Sequence, residues 1–320
     1  MGEIMESLVK SIRMEDRGSS GRWAVVLAGG DGTRLLPLTR KITGDDRPKQ
    51  FCALTGKETL LDQTRRRVSR VVPECQVLWV LTRTHERFYR DQMRDVPARN
   101  LLVQPQNQGT APAIVYSLTR LDAAAPEAIV AFFPSDHHFA NEEAFSTAVD
   151  QMFAHVELYG QHILLLGIAP ESEEEGYGWI EPGARLHHIS RGPVFKVRSF
   201  WEKPSRSTAR DLMMRGCLWN SFVMVGRVSA FLEMIRRSLP DLLALFESTW
   251  AGTKPGKEAS ALNELFSSIP NSNFSDEVLS VRPTDLAVFP ARGLRWTDLG
   301  EPERAISTLQ LVRSVSTGRM

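Results

Sequence analysis

The sequence predicts an α/β protein with a doubly wound, mostly parallel (Rossmann-like) sheet, a small antiparallel insertion and a short helical C-terminal part. Three observations carry this. Short apolar runs alternate with stretches of helical period, the pattern of βαβ units. The runs are continuously apolar instead of alternating, as strands covered on both faces require. The 320 residues are 42% hydrophobic and 24% charged, enough for a sizeable core and incompatible with a disordered chain.

The elements follow in order. Residues 1–21 end in Arg17-Gly-Ser-Ser-Gly21 and read as an extension with one short helix over residues 4–12. Buried strands are expected at residues 23–27, 77–81, 128–133 and 163–168. Helices are expected between and after them, at 60–72, 84–93, 111–121 and 142–158. Residues 182–198 hold short runs suited to antiparallel pairing, and 221–225 form a further apolar strand. Helical stretches follow at 229–238, 239–250 and 259–267, and 301–314 read as an amphipathic tail helix. The basic run Arg65–Arg67 and the acidic run Glu173–Glu175 read as solvated faces.

Composition removes several function classes. With 39 Lys+Arg against 38 Asp+Glu the formal charge is +1, which gives no overall field for a nucleic-acid backbone. Three cysteines (Cys52, Cys75, Cys217) without a CxxC spacing argue against a disulfide framework or a Cys-rich zinc site. No apolar run reaches the roughly 18 residues that span a bilayer. Glu3, Glu6, Lys10, Arg13, Glu15 and Asp16 leave no signal-peptide core. The expectation is a soluble, cytoplasmic protein with no nucleic-acid or membrane partner, and with a homo-oligomer left open.

The first strand runs into Leu27-Ala-Gly-Gly-Asp-Gly-Thr-Arg34. Glycines at positions 29, 30 and 32 let backbone N–H groups approach an anion, and in a parallel sheet this loop lies at the ligand edge. It lacks the Gly-Lys-Ser/Thr of a Walker A loop, and Leu35 replaces the last glycine of a dinucleotide fingerprint. Arg34 supplies a fixed cation with a forked donor set instead. Taken alone, the loop fits a plain tight turn equally well. The segment Arg47-Pro-Lys-Gln-Phe51 adds Lys49 as a second cation. Asp136 follows an apolar strand and Asp298 follows Trp296, so both carboxylates are expected at strand ends; alone, Asp136 also reads as a capping or turn residue. The adjacent His137 and His138 point to opposite faces of an extended segment and do not make a zinc site.

Leu27-Ala-Gly-Gly-Asp-Gly-Thr-Arg-Leu-Leu-Pro-Leu-Thr-Arg40 followed by Arg47-Pro-Lys-Gln-Phe51 resembles the signature of sugar-1-phosphate nucleotidylyltransferases, and most resembles the mannose-1-phosphate guanylyltransferases among them. The likeness continues in order through Thr110-Ala-Pro-Ala-Ile114, Pro134-Ser-Asp-His137, Tyr177-Gly-Trp-Ile180, Trp201-Glu-Lys-Pro204, Leu218-Trp-Asn-Ser221 and Trp296-Thr-Asp-Leu-Gly300. It implies transfer of a nucleotidyl group from an NTP, GTP by this likeness, to mannose-1-phosphate, giving GDP-mannose and pyrophosphate with Mg²⁺. By residue, it implies Arg34 and Lys49 as the catalytic cations. Ala28, Gly29, Gly30, Gly32, Thr33, Gln104, Gly109 and Thr110 would bind the nucleotide. Gly178, Glu202, Lys203 and Asn220 would bind the sugar phosphate, and Asp136 and Asp298 the metal. Residues 22–300 then form one catalytic domain, and 301–320 a tail too short for the isomerase or β-helical domain of longer members.

Two positions depart from the pattern. Gln104-Pro-Gln-Asn-Gln-Gly109 stands where guanylyltransferases carry Glu-Pro-x-x-Arg-Asn, which bears on the base, and Phe222 stands where a glycine is common. The alternatives are therefore another NTP and hexose-1-phosphate pair, or a non-catalytic sugar-nucleotide-binding module. The intact Arg34, Lys49, Asp136, Lys203 and Asp298 weigh against the latter.

Overall fold

A computed structural model describes residues 21–186, 192–254, 256–302 and 304–308. Its main sheet has nine strands in the order β3-β2-β1-β4-β9-β6-β10-β8-β7. These are β1 (Arg22–Leu27), β2 (Val77–Thr82), β3 (Leu101–Gln104), β4 (Ile129–Pro134), β6 (Ile163–Ile168), β7 (Gly178–Arg185), β8 (Phe195–Glu202), β9 (Leu218–Arg227) and β10 (Leu286–Ala291). Two short strands, β5 (His138–Phe139) and β11 (Trp296–Thr297), pair separately beside it.

The alternation of side chains along each strand builds two cores. Trp23 and Val25 of β1 face helices Thr110–Ala124, Val228–Ser238, Pro240–Gly252 and Glu258–Ser268. Ala24 and Val26 face Leu60–Val68, Glu142–Tyr159 and Arg206–Met214. The sheet is thus covered on both sides, which is why β2, β4 and β6 are buried along their whole length. Helix starts are marked in the sequence: Thr59 and Asp62 form a capping box, and the Asn141 side chain accepts from Ala144 N–H.

The sheet is less parallel than the sequence predicts. β1 to β4 run parallel to one another, as do β6 and β10, but β9 lies antiparallel between β4 and β6. β9 also pairs with β7, Trp219 opposite Trp179, so the circuit β9-β6-β10-β8-β7 closes on itself. The antiparallel part is therefore a closed half of the sheet and not a small insertion. A strand buried on both faces carries no pattern that reveals its direction.

Local departures have local causes. The helix expected over 84–93 shrinks to a turn at Arg83–His85 and a single turn at Glu86–Tyr89, and the one expected over 60–72 ends at Val68. β3 has only four residues, and β10 contains Pro290, which demotes a strand in sequence reading; neither was expected. Helix Leu36–Thr43 was also unforeseen. The helix expected over 4–12 lies outside the described residues. Of the tail helix expected over 301–314, residues 302 and 304–308 are helical, Glu301 is a bend outside it, and 303 and 309–314 lie outside the described residues.

The basic run is not one solvated face. Successive helical residues point about 100° apart, and only two of the three reach solvent-side partners, Arg65 with Asp95 and Arg66 with Glu58 and Glu142. Arg67 turns inward, 2% exposed, with its guanidinium 4.9 Å from the Phe139 ring centre and 5.5 Å from that of Phe145. The acidic run also divides: Glu173 pairs with Arg206 and Arg210, whereas Glu174 pairs with Arg304.

Candidate active site

The loops that follow β1, β3 and β4 converge with the starts of β7 and β9, the end of β8 and the segment after β11 on a cavity of about 460 Å³. Of the residues singled out from the sequence, Gly29, Gly30, Gly32, Thr33, Arg34, Lys49, Gln104, Gly109, Thr110, Asp136, Gly178, Glu202, Lys203, Asn220 and Asp298 all line it. Ala28 does not: it is buried behind the wall, and its carbonyl accepts from the Gln50 amide at 3.1 Å.

The glycine loop is held by packing that needs glycine. A Cβ on Gly29 would stand 2.7 Å from Gln104 Nε2 and 2.8 Å from Thr82 Oγ1, so the loop lies directly on the ends of β2 and β3. The Thr82 hydroxyl donates to the Gly29 carbonyl at 2.9 Å, and Gln50 Nε2 donates to the Gly30 carbonyl at 2.7 Å. Gly32 has φ +61°, the left-handed region.

The loop after β3 spends most of its amides on its own shape. Gln106 and Gln108 donate to the Phe266 carbonyl at 2.6 and 3.1 Å. Asn107 accepts from Gly109 N–H at 3.0 Å and donates to Asp31 of the glycine loop at 2.8 Å. Gln104 is 1% exposed and its Oε1 has no hydrogen-bond partner among the described residues. Gly109 has φ +89°, and a Cβ there would collide with the Ser272 carbonyl oxygen. It leads into helix Thr110–Ala124, whose N-terminal N–H groups favour negative charge.

Two cations face the floor of the site. Arg34 is largely exposed and meets Glu301 at 3.3 Å. Lys49 is 9% exposed; its ammonium donates to the Asp298 and Leu299 carbonyls at 2.7 and 3.2 Å and lies 3.2 Å from Asp136 Oδ2. Burial works to raise the Asp136 carboxyl, but Lys49 and His137 outweigh it and hold it below the usual carboxylate range. Asp298 Oδ1 accepts from the Tyr177 hydroxyl at 3.1 Å and from Gly300 N–H at 2.8 Å. The Trp296 indole donates to His137 Nδ1 at 3.2 Å, so that nitrogen is an acceptor, and burial lowers the pKa of the ring. Burial likewise pushes His138 down to about 4. Among the described residues no group of three or more His, Cys, Asp or Glu forms a metal cluster.

The opposite wall gathers the residues expected to hold the sugar phosphate. A Cβ on Gly178 would come 2.9 Å from Glu202 Oε2 and 3.3 Å from Asn220 Cβ, so these three positions touch. Burial raises the Glu202 carboxyl, and the Lys203 ammonium 3.0 Å away offsets part of that. Lys203 and Phe222 have φ +45° and +59°, a strained region for non-glycine residues that costs about 1–3 kcal/mol at each position. Asn220 Oδ1 accepts from Phe222 N–H at 3.1 Å and holds that backbone turn. A glycine would adopt this backbone freely, and Phe222 occupies it under strain.

Sequence reasoning missed several wall residues. Gln50 braces the glycine loop, and Asn273 and Ser275 reach the cavity from a segment entering the π-helical turn Ser275–Leu279. Their only sequence cue is short polar residues between apolar ones. Trp219 and Trp296 are buried as core residues, and Trp296 also forms part of the wall.

Residues 23–313 match the family described as Nucleotidyl transferase. The chain belongs to this family. It is 32% identical over 287 residues to the mannose-1-phosphate guanylyltransferase ManC of Salmonella typhimurium, a match covering 87% of this chain and 57% of that protein. A mannose-1-phosphate guanylyltransferase of Escherichia coli is 31% identical over 289 residues, covering 87% of this chain and 58% of that protein. The chain therefore spans somewhat over half the length of these curated relatives. A Thermus thermophilus crystal structure described as mannose-1-phosphate geranyltransferase superposes with TM-score 0.76 at 28% identity, covering 90% of this chain and 80% of that one. Among the described residues no helix is long and apolar enough to cross a membrane.

Proposed function

We propose that this chain transfers a nucleotidyl group from GTP to mannose-1-phosphate, releasing pyrophosphate and forming GDP-mannose. The observation that carries the reading is the shared cavity: glycine loop, Arg34 and Lys49 on one side, Glu202, Lys203 and Asn220 on the other, with Asp136 and Asp298 also in its wall. Its volume of about 460 Å³ lies within the range of small-ligand sites, roughly 300–1,000 Å³. The base is taken from the relatives and from the resemblance of the motifs.

In this reading an oxygen of the sugar phosphate attacks the α-phosphorus of the nucleotide, the α–β bridging bond breaks, and pyrophosphate leaves. The nucleophile is already an anion, so the protein needs to position and neutralise rather than abstract a proton. Lys203 holds the sugar phosphate; Arg34 and Lys49 oppose the charge of the triphosphate; the glycine loop offers N–H groups and the helix at Thr110 the positive end of its dipole. Glu202 and Asn220 take the sugar hydroxyls. Groups of this kind are each worth about 10²–10³ in rate.

The donor set fits Mg²⁺: Asp136 and Asp298 present hard carboxylate oxygens to one cavity, and no third His, Cys, Asp or Glu among the described residues completes a closed cage. When bound, Mg²⁺ neutralises phosphate charge.

The test is pyrophosphate release by purified protein with each NTP against mannose-, glucose- and N-acetylglucosamine-1-phosphate. GTP with mannose-1-phosphate is expected to give the highest kcat/KM, and no turnover with any pair at ample Mg²⁺ would sink the enzymatic reading. Gln104 favours a second reading within the same chemistry. Its buried amide can both accept and donate where the carboxylate of the guanylyltransferase pattern only accepts, so UTP or dTTP as the best substrate would select that reading.

A further inference from the structure

Among the described residues Asp298 Oδ1 accepts two hydrogen bonds, one for each lone pair, and carries an ion-pair contact that is not itself a hydrogen bond. Besides the Tyr177 hydroxyl at 3.1 Å and Gly300 N–H at 2.8 Å, Arg304 Nη2 stands 3.3 Å away. Arg304 is itself fixed from two sides. Its Nη1 lies 2.6 Å from Glu174 Oε1, and its guanidinium carbon sits 4.7 Å from the Tyr177 ring centre. Glu174 is tied in turn to the turn before β7: its carboxylate accepts from Gly176 N–H at 2.9 Å and its carbonyl from the Trp179 indole at 2.8 Å. Gly300 matters on the other oxygen, because a Cβ there would intrude on Asp298 Oδ2. The carboxylate is thus saturated on one side and kept clear on the other.

We propose that Arg304 is a positioning residue: through Glu174 and Tyr177 it locks the Asp298 carboxylate so that Oδ2 alone is presented to a divalent cation. The inference rests on Asp298 being a metal ligand in the nucleotidyl-transfer reading, and it concerns a residue beyond the last motif of the family pattern. It runs against simple electrostatics. A guanidinium beside a metal ligand repels the metal, so an Arg304 that merely sat there would weaken cation binding. A positioning Arg304 strengthens it, because outer partners that orient a ligand typically hold about 10–100-fold in metal affinity. Removing the side chain therefore shifts affinity in opposite directions under the two accounts.

The experiment is Mn²⁺ titration of the full chain without nucleotide or sugar, following free Mn²⁺ by electron paramagnetic resonance. Arg304→Gln is expected to raise the Mn²⁺ dissociation constant about 10-fold. Glu174→Gln, which keeps the Arg304 charge but loosens its anchor, shifts it in the same direction by less, and Arg304→Lys recovers part of the loss. Arg206→Gln, at an exposed pair with Glu173, leaves it unchanged. In the activity assay the Mg²⁺ concentration at half-saturation rises in Arg304→Gln while kcat at saturating Mg²⁺ falls far less. Tighter or unaltered Mn²⁺ binding in Arg304→Gln overturns the proposal, and should that variant not fold, unaltered binding in Glu174→Gln does so. Because Mn²⁺ binding is read without turnover, a wrong assignment of the reaction gives a different result, binding that responds to these variants in a protein that turns over no substrate pair.

Discussion

Lys49→Met removes the ammonium at the centre of the site while keeping the length and volume of the side chain. In the native protein Lys49 is 9% exposed and donates to two carbonyls, Asp298 at 2.7 Å and Leu299 at 3.2 Å, beside Asp136 Oδ2 at 3.2 Å. A hydrogen bond to a charged donor is worth about 1.5–3 kcal/mol, and the lower end applies because cavity water can replace the donor. Attraction to Asp136 at an effective dielectric constant near 20 has a ceiling of about 5 kcal/mol. The Asp136 side chain is 27% exposed, so screening reduces that to about 1–2 kcal/mol. Against this stands relief of the ammonium's own desolvation, a few kcal/mol. The expected net loss is about 2 kcal/mol of folding stability, alongside loss of most activity. Urea unfolding followed by tryptophan fluorescence measures it, and a double-mutant cycle with Asp136→Asn isolates the pair, with an expected coupling of about 1–2 kcal/mol. An inactive Lys49→Met that unfolds at the wild-type midpoint, with additive double-mutant effects, would show that Lys49 contacts substrate without bracing the site.

Two glycines separate folding from binding. Gly109→Ala, at φ +89° against the Ser272 carbonyl, should cost about 2–4 kcal/mol in urea unfolding, whereas Gly30→Ala, with open space around it, should unfold like wild type and raise KM for the nucleotide; equal midpoints for both would refute the packing argument. Arg67→Met should be at least as stable as wild type, since among the described residues the buried guanidinium leaves Nε and Nη2 without hydrogen bonds, and Glu142, 3.9 Å away, keeps Arg66 and Arg70 as partners; a midpoint loss worth more than about 1 kcal/mol would contradict this. Burial pushes the Cys52 thiol up to about 12 and Cys217 up to about 11, so both stay protonated in the folded state after they would ionise in the unfolded chain. Their contribution is therefore complete below about pH 8.5 and is lost as pH rises toward 11–12, and a thiol reagent at pH 8 should label Cys75 alone in the native protein, with the other two appearing on unfolding. Fast native labelling of Cys52 would show that its surroundings open.

Much of the fold was legible because its strands are buried on both faces. The runs at β1, β2, β4 and β6 have no competing interpretation, and each ends where a loop must carry the polar residues. β10 was not legible, since Pro290 interrupts it and only its place between β6 and β8 makes it a strand. The direction of β9 was hidden for the same reason that its existence was clear. At the site, residues that face the cavity came from motifs with a chemical need for glycine or charge. Roles played on other residues were not legible: Gln50, although inside a recognised motif, reaches back about 20 positions to Ala28 and Gly30, and Arg304 reaches Glu174 across about 130. Such contacts are made by the fold, and nothing in the neighbourhood of Glu174 distinguishes it from the exposed Glu175. Phe222 was noticed as a departure, but its positive φ appears only in three dimensions.

The position of β10 has a consequence for synthesis. β6 and β8 are separated in the finished sheet by a strand made of residues 286–291, long after both have emerged from the ribosome. From the end of β9 at Arg227 to the end of β10 at Ala291, about 60 residues must be translated, roughly 3–12 s at ordinary elongation rates. During that interval a nascent chain that has already assembled β1, β4, β9 and β6 carries two open strand edges flanking an apolar slot. Unfilled edges of this kind template pairing with other chains. The closed half of the sheet is thus complete only when nearly all of the segment matched by the family, residues 23–313, has been made, so truncated products ending before residue 286 should aggregate, and the cell's chaperones should meet this protein late in its translation.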